Sequence, residues 1–112
     1  MPNQLAQLDL VFHSLADPTR RAVLARLSQS PAPVKELAEP FDMALPSFTQ
    51  HLNVLEAAGL VKSRKSGRIR TYQLVPKPLK TAQHWLAAQR AHWEARLNQF
   101  DSYLTTIEEE KT

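Results

Sequence analysis

The 112-residue chain contains no cysteine. Disulfides, thiolate metal sites, iron–sulfur clusters and cysteine nucleophiles are therefore excluded. It has two glycines, too few for a Gly-rich phosphate cradle, so P-loop and dinucleotide-fingerprint readings fall as well. No apolar run approaches the roughly 18 residues that a membrane helix needs. Met1-Pro2-Asn3-Gln4 lacks the basic start and apolar core of a signal peptide. These absences predict a single cytoplasmic domain over residues 1–112. No Ser/His/Asp signature and no paired-carboxylate motif is visible, so no enzyme activity and no cofactor are expected.

What is present is proline and basic charge. The chain has eight prolines, and Lys plus Arg number 14 against 11 Asp plus Glu, giving a pI near 9.5. Residues 1–74 carry 9 basic and 6 acidic side chains, net +3, whereas residues 75–112 carry 5 of each, net 0. The first part is the place to look for an anionic partner.

The prolines mostly mark the ends of periodic stretches. Leu5, Leu8, Val11, Phe12 and Leu15 recur at helical spacing. Asp17-Pro18 reads as an N-cap followed by proline at the first helical position. A second helix then runs to about Ser28, with Ala22, Val23 and Leu27 on one face and Arg20, Arg21 and Arg26 largely off it. Pro31-Ala32-Pro33 stops the pattern. Leu37, Ala38 and Phe41 predict a two-turn helix over Val34–Phe41, limited by Pro40. Pro46 opens a fourth helix with Phe48, Leu52 and Leu55 facing inward, ended by Ala58-Gly59.

The period then changes from 3.6 to 2. Strands are expected over Leu60–Lys65 and Ile69–Leu74, turning at Lys65-Ser66-Gly67-Arg68, with Val61, Tyr72 and Leu74 as inward anchors. From Leu79 the apolar positions are Ala82, Leu86, Trp93, Leu97, Phe100, Leu104 and Ile107; with Gln89 filling the slot between Leu86 and Trp93, steps of three and four alternate apart from one irregularity from 93 to 97. This predicts a long helix with a narrow seam suited to a partner helix. Glu108-Glu109-Glu110-Lys111 reads as a solvated, frayed end. The fold class is thus mainly α with a small β-hairpin: four helices, a two-stranded wing and a long last helix.

The unit 34–74 carries the functional signal. Two short helices separated by a tight turn form a helix-turn-helix, which presents its second helix to the DNA major groove. The hairpin adds Lys62, Arg64, Lys65, Arg68 and Arg70 with no acid between Lys62 and Arg70. Such a surface suits phosphates; an ordinary solvated hairpin charged to block edge pairing is the bland alternative. On the candidate recognition helix Ser47, Gln50 and His51 project outward, with Thr49 at the margin. These short hydrogen-bonding side chains suit base edges and nearby phosphates, although Ser47 and Thr49 could instead cap the first turn. Arg20 and Arg21 fit phosphate contacts, a solvated face, or a structural pair with Glu36 or Asp42.

His84 and His92 raise a metal question. They lie eight apart on one helix, about 12 Å of rise, so a single helix cannot place both on one ion. No metal site is expected. Trp85 and Trp93 read better as dimer core than as the walls of a ligand pocket.

Three stretches resemble the arsenic-repressor (ArsR) family of winged helix-turn-helix regulators. They are Phe12-His13-Ser14-Leu15-Ala16-Asp17-Pro18-Thr19-Arg20-Arg21; Glu36-Leu37-Ala38 with Leu45-Pro46-Ser47-Phe48-Thr49-Gln50-His51-Leu52; and Leu55-Glu56-Ala57-Ala58-Gly59-Leu60-Val61 running into Gly67-Arg68. The resemblance implies a homodimeric transcriptional regulator, usually a repressor, on an inverted-repeat operator in double-stranded DNA. By position it implies Ser47, Thr49, Gln50 and His51 in the major groove and Lys65, Arg68 and Arg70 on the wing. Dimerisation would use residues 1–16 and 79–108, through Leu5, Leu8, Phe12, Leu86, Trp93, Leu97, Phe100 and Leu104.

The chain departs from the family's metal sensors. Where they carry Cys-x-Cys it reads Leu37-Ala38-Glu39-Pro40-Phe41, and His84, His92 and Glu94 do not reproduce the paired-helix zinc set. It more closely resembles the branch with Leu-Pro opening the recognition helix. Two rival readings remain: a protein-interaction winged helix without DNA binding, and a repressor that also senses a metal or small molecule at the last helix. The sequence names neither an operator nor an effector.

Overall fold

A computed structural model of the protein describes residues 4–111. The elements run α1 (Gln4–Leu15), α2 (Pro18–Leu27), β1 (Ala32–Pro33), α3 (Val34–Ala38), α4 (Leu45–Ala57), β2 (Val61–Ser66), β3 (Ile69–Leu74) and α5 (Lys77–Lys111). The chain divides into two units, one up to Ala82 and one from Gln83 onward. No helix among the described residues is long and apolar enough to cross a membrane.

In the first unit the helix signals act as the sequence suggests. Asp17 is the extended N-cap of α2 and accepts the Arg20 amide at 3.0 Å, and Pro18 opens the helix. Pro46 sits in the first turn of α4, and the helix ends before Gly59, whose φ of 77° closes it. Phe48, Leu52 and Leu55 are fully buried, with Val11, Val23 and Leu60 around them. Phe41 stacks on Phe48 with ring centroids 5.5 Å apart. The core thus fixes one face of α4 and leaves the other outside. Ser14 is also fully buried; its hydroxyl donates to the Leu10 carbonyl at 2.8 Å, so it costs no unpaired polar group.

Several boundaries differ from the sequence reading. α3 stops at Ala38, not Phe41, because Pro40 has no amide to extend the ladder; the Phe41 amide turns back to the Ala38 carbonyl at 3.0 Å. Pro31-Ala32-Pro33 is more than a break. Ala32 and Pro33 form β1, paired antiparallel with Tyr72 and Thr71 of β3, so the sheet has three strands in the order β1-β3-β2. Proline is tolerated there because β1 is an edge strand.

The wing turn is tighter than expected. Ser66 pairs with Ile69, leaving Gly67 and Arg68 as a two-residue loop. Gly67 has a φ of 62°, and among the described residues no non-glycine has positive φ, so Arg68 does not, which is the II′ pattern rather than I′. α5 starts at Lys77 instead of Leu79, since Pro78 is acceptable in a first turn, and continues to Lys111. The expected fraying at Glu108–Lys111 is absent; glutamate has high helix propensity.

The packing generates a stability prediction. Phe48→Ala should cost about 3–5 kcal/mol, the range for emptying a fully enclosed aromatic site. A Cβ on Gly59 would meet only the flexible end of Gln7 at 3.2 Å and Pro78 at 3.7 Å, so the backbone conformation dominates. Gly59→Ala should cost about 1–2 kcal/mol. Urea denaturation of both variants measures these values.

Candidate nucleic-acid interface

The outer face of α4 begins without a side-chain cap. Its N-cap is Ala44, and neither Ser47 nor Thr49 makes a side-chain hydrogen bond among the described residues. The first-turn capping role open to them in sequence is therefore not used. Ser47 and Gln50 are exposed and lie three apart, hence on adjoining positions of the helix surface; Thr49 is half-buried. Asn53, one turn further, is exposed as well, and sequence reasoning gave it no role.

His51 is placed differently from its neighbours. Its side chain is 23% exposed, and its Nδ1 lies 3.2 Å from Arg20 Nη1 and 3.6 Å from Asp17 Oδ2. Arg20 itself is neither a solvated cation nor paired with Glu36 or Asp42. It is 9% exposed and donates from Nε to the Ser14 carbonyl and from Nη2 to the His13 carbonyl, both at 2.9 Å. Arg21 donates to the Leu15 carbonyl at 2.8 Å. The two arginines thus satisfy the last carbonyls of α1, which have no partners within the helix. Glu36 pairs with Arg26 at 2.9 Å. Sequence spacing could not show this, since α1 and α4 converge on Arg20 only in the folded chain.

On the wing, Lys62, Arg64, Lys65, Arg68 and Arg70 are all exposed. Lys65 and Arg70 pair directly across the two strands, where like charges destabilise each other. Arg70 is drawn inward: its Nη1 donates to Ser63 Oγ at 2.8 Å, and Ser63 Oγ donates to the Glu56 carboxylate at 3.2 Å. Glu56 lies on α4, so this chain ties the wing to the recognition helix. Burial pushes the Tyr72 phenol up, and the Glu56 charge adds to the rise, keeping it neutral at the base of the wing. Between α3, the start of α4 and the wing tip lies an open, mainly apolar cleft of about 930 Å³ that includes Leu45 and Ile69.

In the second unit Leu86, Trp93, Leu97, Phe100 and Leu104 are exposed along α5, Trp93 at 68%. Among the α1 positions assigned to a dimer contact, Leu5 is 70% exposed, but Leu8 is buried in the chain's own core and Phe12 packs against that core. His84 and His92 are exposed. Among the described residues no three His, Cys, Asp or Glu side chains come together as a metal set.

A three-helix core, a helix-turn-helix and a basic β-hairpin define a winged helix. Comparison with known proteins agrees. A family model described as a helix-turn-helix domain matches residues 15–64. The HTH-type transcriptional regulator Rv2034 of Mycobacterium tuberculosis is 45% identical over 71 residues, 63% of this chain and 66% of its own length. The transcriptional repressor SdpR of Bacillus subtilis is 32% identical over 76 residues, 68% of this chain and 84% of the relative. The crystal structure of an ArsR-family transcriptional regulator superposes with a TM-score of 0.78 at 51% identity, covering 84% of this chain and 97% of that one. The chain belongs to the ArsR family of winged helix-turn-helix transcriptional regulators. This is a class of DNA-binding regulators, not of enzymes.

The α2 cap yields a pH prediction. The hydrogen bond from the Arg20 amide, helped by the charges of His51 and Arg20 and opposed by partial burial, holds the Asp17 carboxyl below its ordinary value of 3.8. A depressed folded-state value means the stabilisation is fully present above 3.8 and is lost as pH falls through the folded value. Asp17→Ala should cost about 1 kcal/mol at neutral pH, as for other N-caps, and should flatten the stability loss below 3.8. Urea denaturation from pH 7 to pH 2 checks both.

Proposed function

We propose that the protein is a cytoplasmic homodimeric repressor that binds an inverted-repeat operator, inserting α4 into the major groove and laying the wing along flanking phosphates. The observation that carries this reading is the conjunction of two surfaces on one unit. The uncapped start of α4 exposes Ser47 and Gln50, and the wing exposes five cations from Lys62 to Arg70. Ser47 and Gln50, with Thr49 at the margin and His51 behind them, are the base-edge candidates. Gln50 suits a bidentate contact to adenine. Lys65 and Arg68 make no side-chain bond among the described residues and serve phosphates directly. Arg70 does so while hydrogen-bonded to Ser63.

The exposed seam of Leu86, Trp93, Leu97, Phe100 and Leu104 supports dimerisation, with Leu5 of α1 as a further contact. A row of large apolar side chains on one helix face marks an interaction surface. Leu8 and Phe12, assigned to the same contact by sequence, pack in the first unit's own core. Two-fold pairing would set the recognition helices about 34 Å apart, one turn of DNA.

Selection from random duplexes should return an imperfect inverted repeat. Two wings of five cations set an upper bound of about ten phosphate contacts, so log affinity should fall with log salt by up to about 0.9 per contact. Arg68→Ala should weaken operator and random DNA alike. Gln50→Ala should cost the operator about 1–3 kcal/mol and random DNA far less; an equal loss on both would remove Gln50 from base reading. Trp93→Glu with Leu97→Glu should sediment as a monomer, and a persistent dimer would move the interface elsewhere.

A further inference from the structure

We infer that Arg20 fixes the tautomer of His51, so that the recognition helix offers DNA an N–H donor at this position. Arg20 is thereby a positioning residue for DNA reading rather than a phosphate contact. The inference rests on the reading that α4 enters the groove.

A guanidinium carries five donors, no acceptor and a permanent charge. Arg20 Nη1 lies 3.2 Å from His51 Nδ1, so Nδ1 must turn a lone pair toward it. The competing partner is Asp17 Oδ2. It stands 3.6 Å from Nδ1, beyond hydrogen-bond length, and already accepts the Arg20 amide at 3.0 Å. In a neutral imidazole one nitrogen accepts and the other donates. With Nδ1 accepting, the proton is on Nε2.

Arg20 cannot swing away to release the ring. Its Nε and Nη2 are bound at 2.9 Å to the Ser14 and His13 carbonyls, and the guanidinium is planar and buried. The clamp therefore grips His51 from the end of α1, through α2.

The opposite nitrogen is open. Nε2 has no partner within the described residues, and among them no side-chain nitrogen or oxygen is both buried and unpaired. Nε2 is therefore accessible to solvent. His51 is four residues after Ser47, on the same side of α4, and adjoins Gln50 in sequence. A fixed N–H there selects an acceptor atom of duplex DNA, either a phosphate oxygen or a base acceptor such as guanine O6 or N7. The reversed tautomer would present a lone pair and repel the same atoms.

Long-range proton–nitrogen NMR of the imidazole in the wild-type protein at pH 8, without DNA, reports which nitrogen carries the proton. The expected result is a single species with Nδ1 bare and Nε2 protonated. A proton on Nδ1, or an average of the two forms, overturns the inference. Arg20→Lys keeps the charge and loses the fork, and should convert this signature to a mixture. An unchanged tautomer in the folded variant overturns the role of Arg20. If Arg20→Lys does not fold, the wild-type spectrum and the His51 variants decide.

His51→Asn keeps an acceptor for Arg20 but deletes Nε2. It should melt near the wild-type temperature and bind the selected operator about tenfold more weakly. His51→Gln restores a donor near Nε2 but abandons Arg20, and should retain more binding at a lower melting temperature. A loss in His51→Asn that is equal on all sequences identifies a phosphate as the acceptor; a loss confined to the operator identifies a base. Wild-type affinity in His51→Asn overturns the inference. If the wild-type protein shows no preference for any duplex, the operator reading fails by itself. The tautomer spectrum would still judge the link between Arg20 and His51.

Discussion

Helix α1 ends at Leu15 with carbonyls that have no partners inside the helix. The His13 and Ser14 carbonyls receive the Arg20 guanidinium, which also reaches His51 on α4. A buried charge is tolerated only when its donors are satisfied, and here three acceptors surround it in the geometry a planar fork requires. Lysine could not serve, because one ammonium on a flexible stem does not hold three directions at once. The end of α1, the first turn of α2 and the second turn of α4 are thereby referred to a single side chain. Asp17 contributes from the same turn by accepting the Arg20 amide. The capping bond that starts α2 thus also orients the arginine that positions the recognition helix.

The other end of α4 is tied to the wing by the run Glu56, Ser63, Arg70. Helix α4 and the wing therefore have a fixed register, which the proposed contact of both elements with one DNA backbone would require. The wing is not at its own electrostatic optimum. Lys65 faces Arg70 across the strands, and Arg64 and Arg68 stand nearby with no acid within the hairpin. Glu56 compensates only through Ser63. A surface that repels itself in isolation and is relieved by an arriving anion stores its binding preference in the folded state.

Much of this was legible in the sequence. Asp17-Pro18, Pro46 and Gly59 act through local geometry, so the starts of α2 and α4 and the end of α4 could be read directly. Phe48, Leu52 and Leu55 announced the inner face of α4, and Ser47 and Gln50 followed as the outer one. β1 was not legible: two residues, one of them proline, cannot display a period. The roles of Arg20 and Arg70 were hidden for a different reason. Arg70 read as a wing cation, and Arg20 as a phosphate contact, a solvated side chain or a partner of Glu36 or Asp42, because amphipathic analysis sorts residues by face. The ends of neighbouring helices, where Arg20 finds its acceptors, and Glu56, which anchors Arg70 through Ser63, are set by tertiary packing. His51 was correctly placed on α4, but its inward bond to Arg20 had no sequence signal.

The separation of charge along the chain bears on how such a protein would gain affinity. The excess of three positive charges lies wholly in residues 1–74, and residues 75–112 are neutral overall. One wing of five cations would release few counterions, so a single protomer is expected to bind weakly at physiological salt. The neutral, apolar seam of α5 can pair without charge repulsion. Pairing makes the second protomer's contact with the other half-site effectively intramolecular. In the proposed dimer the salt-dependent terms of both wings then add. The spacing between recognition helices also becomes a property of the dimer, so that half-site separation is read in addition to half-site sequence. In the proposed dimer a chain with little charge to spare would acquire specificity from symmetry, provided each recognition helix is held rigidly in its own protomer. Arg20 meets that condition at one end of α4, and Glu56 at the other.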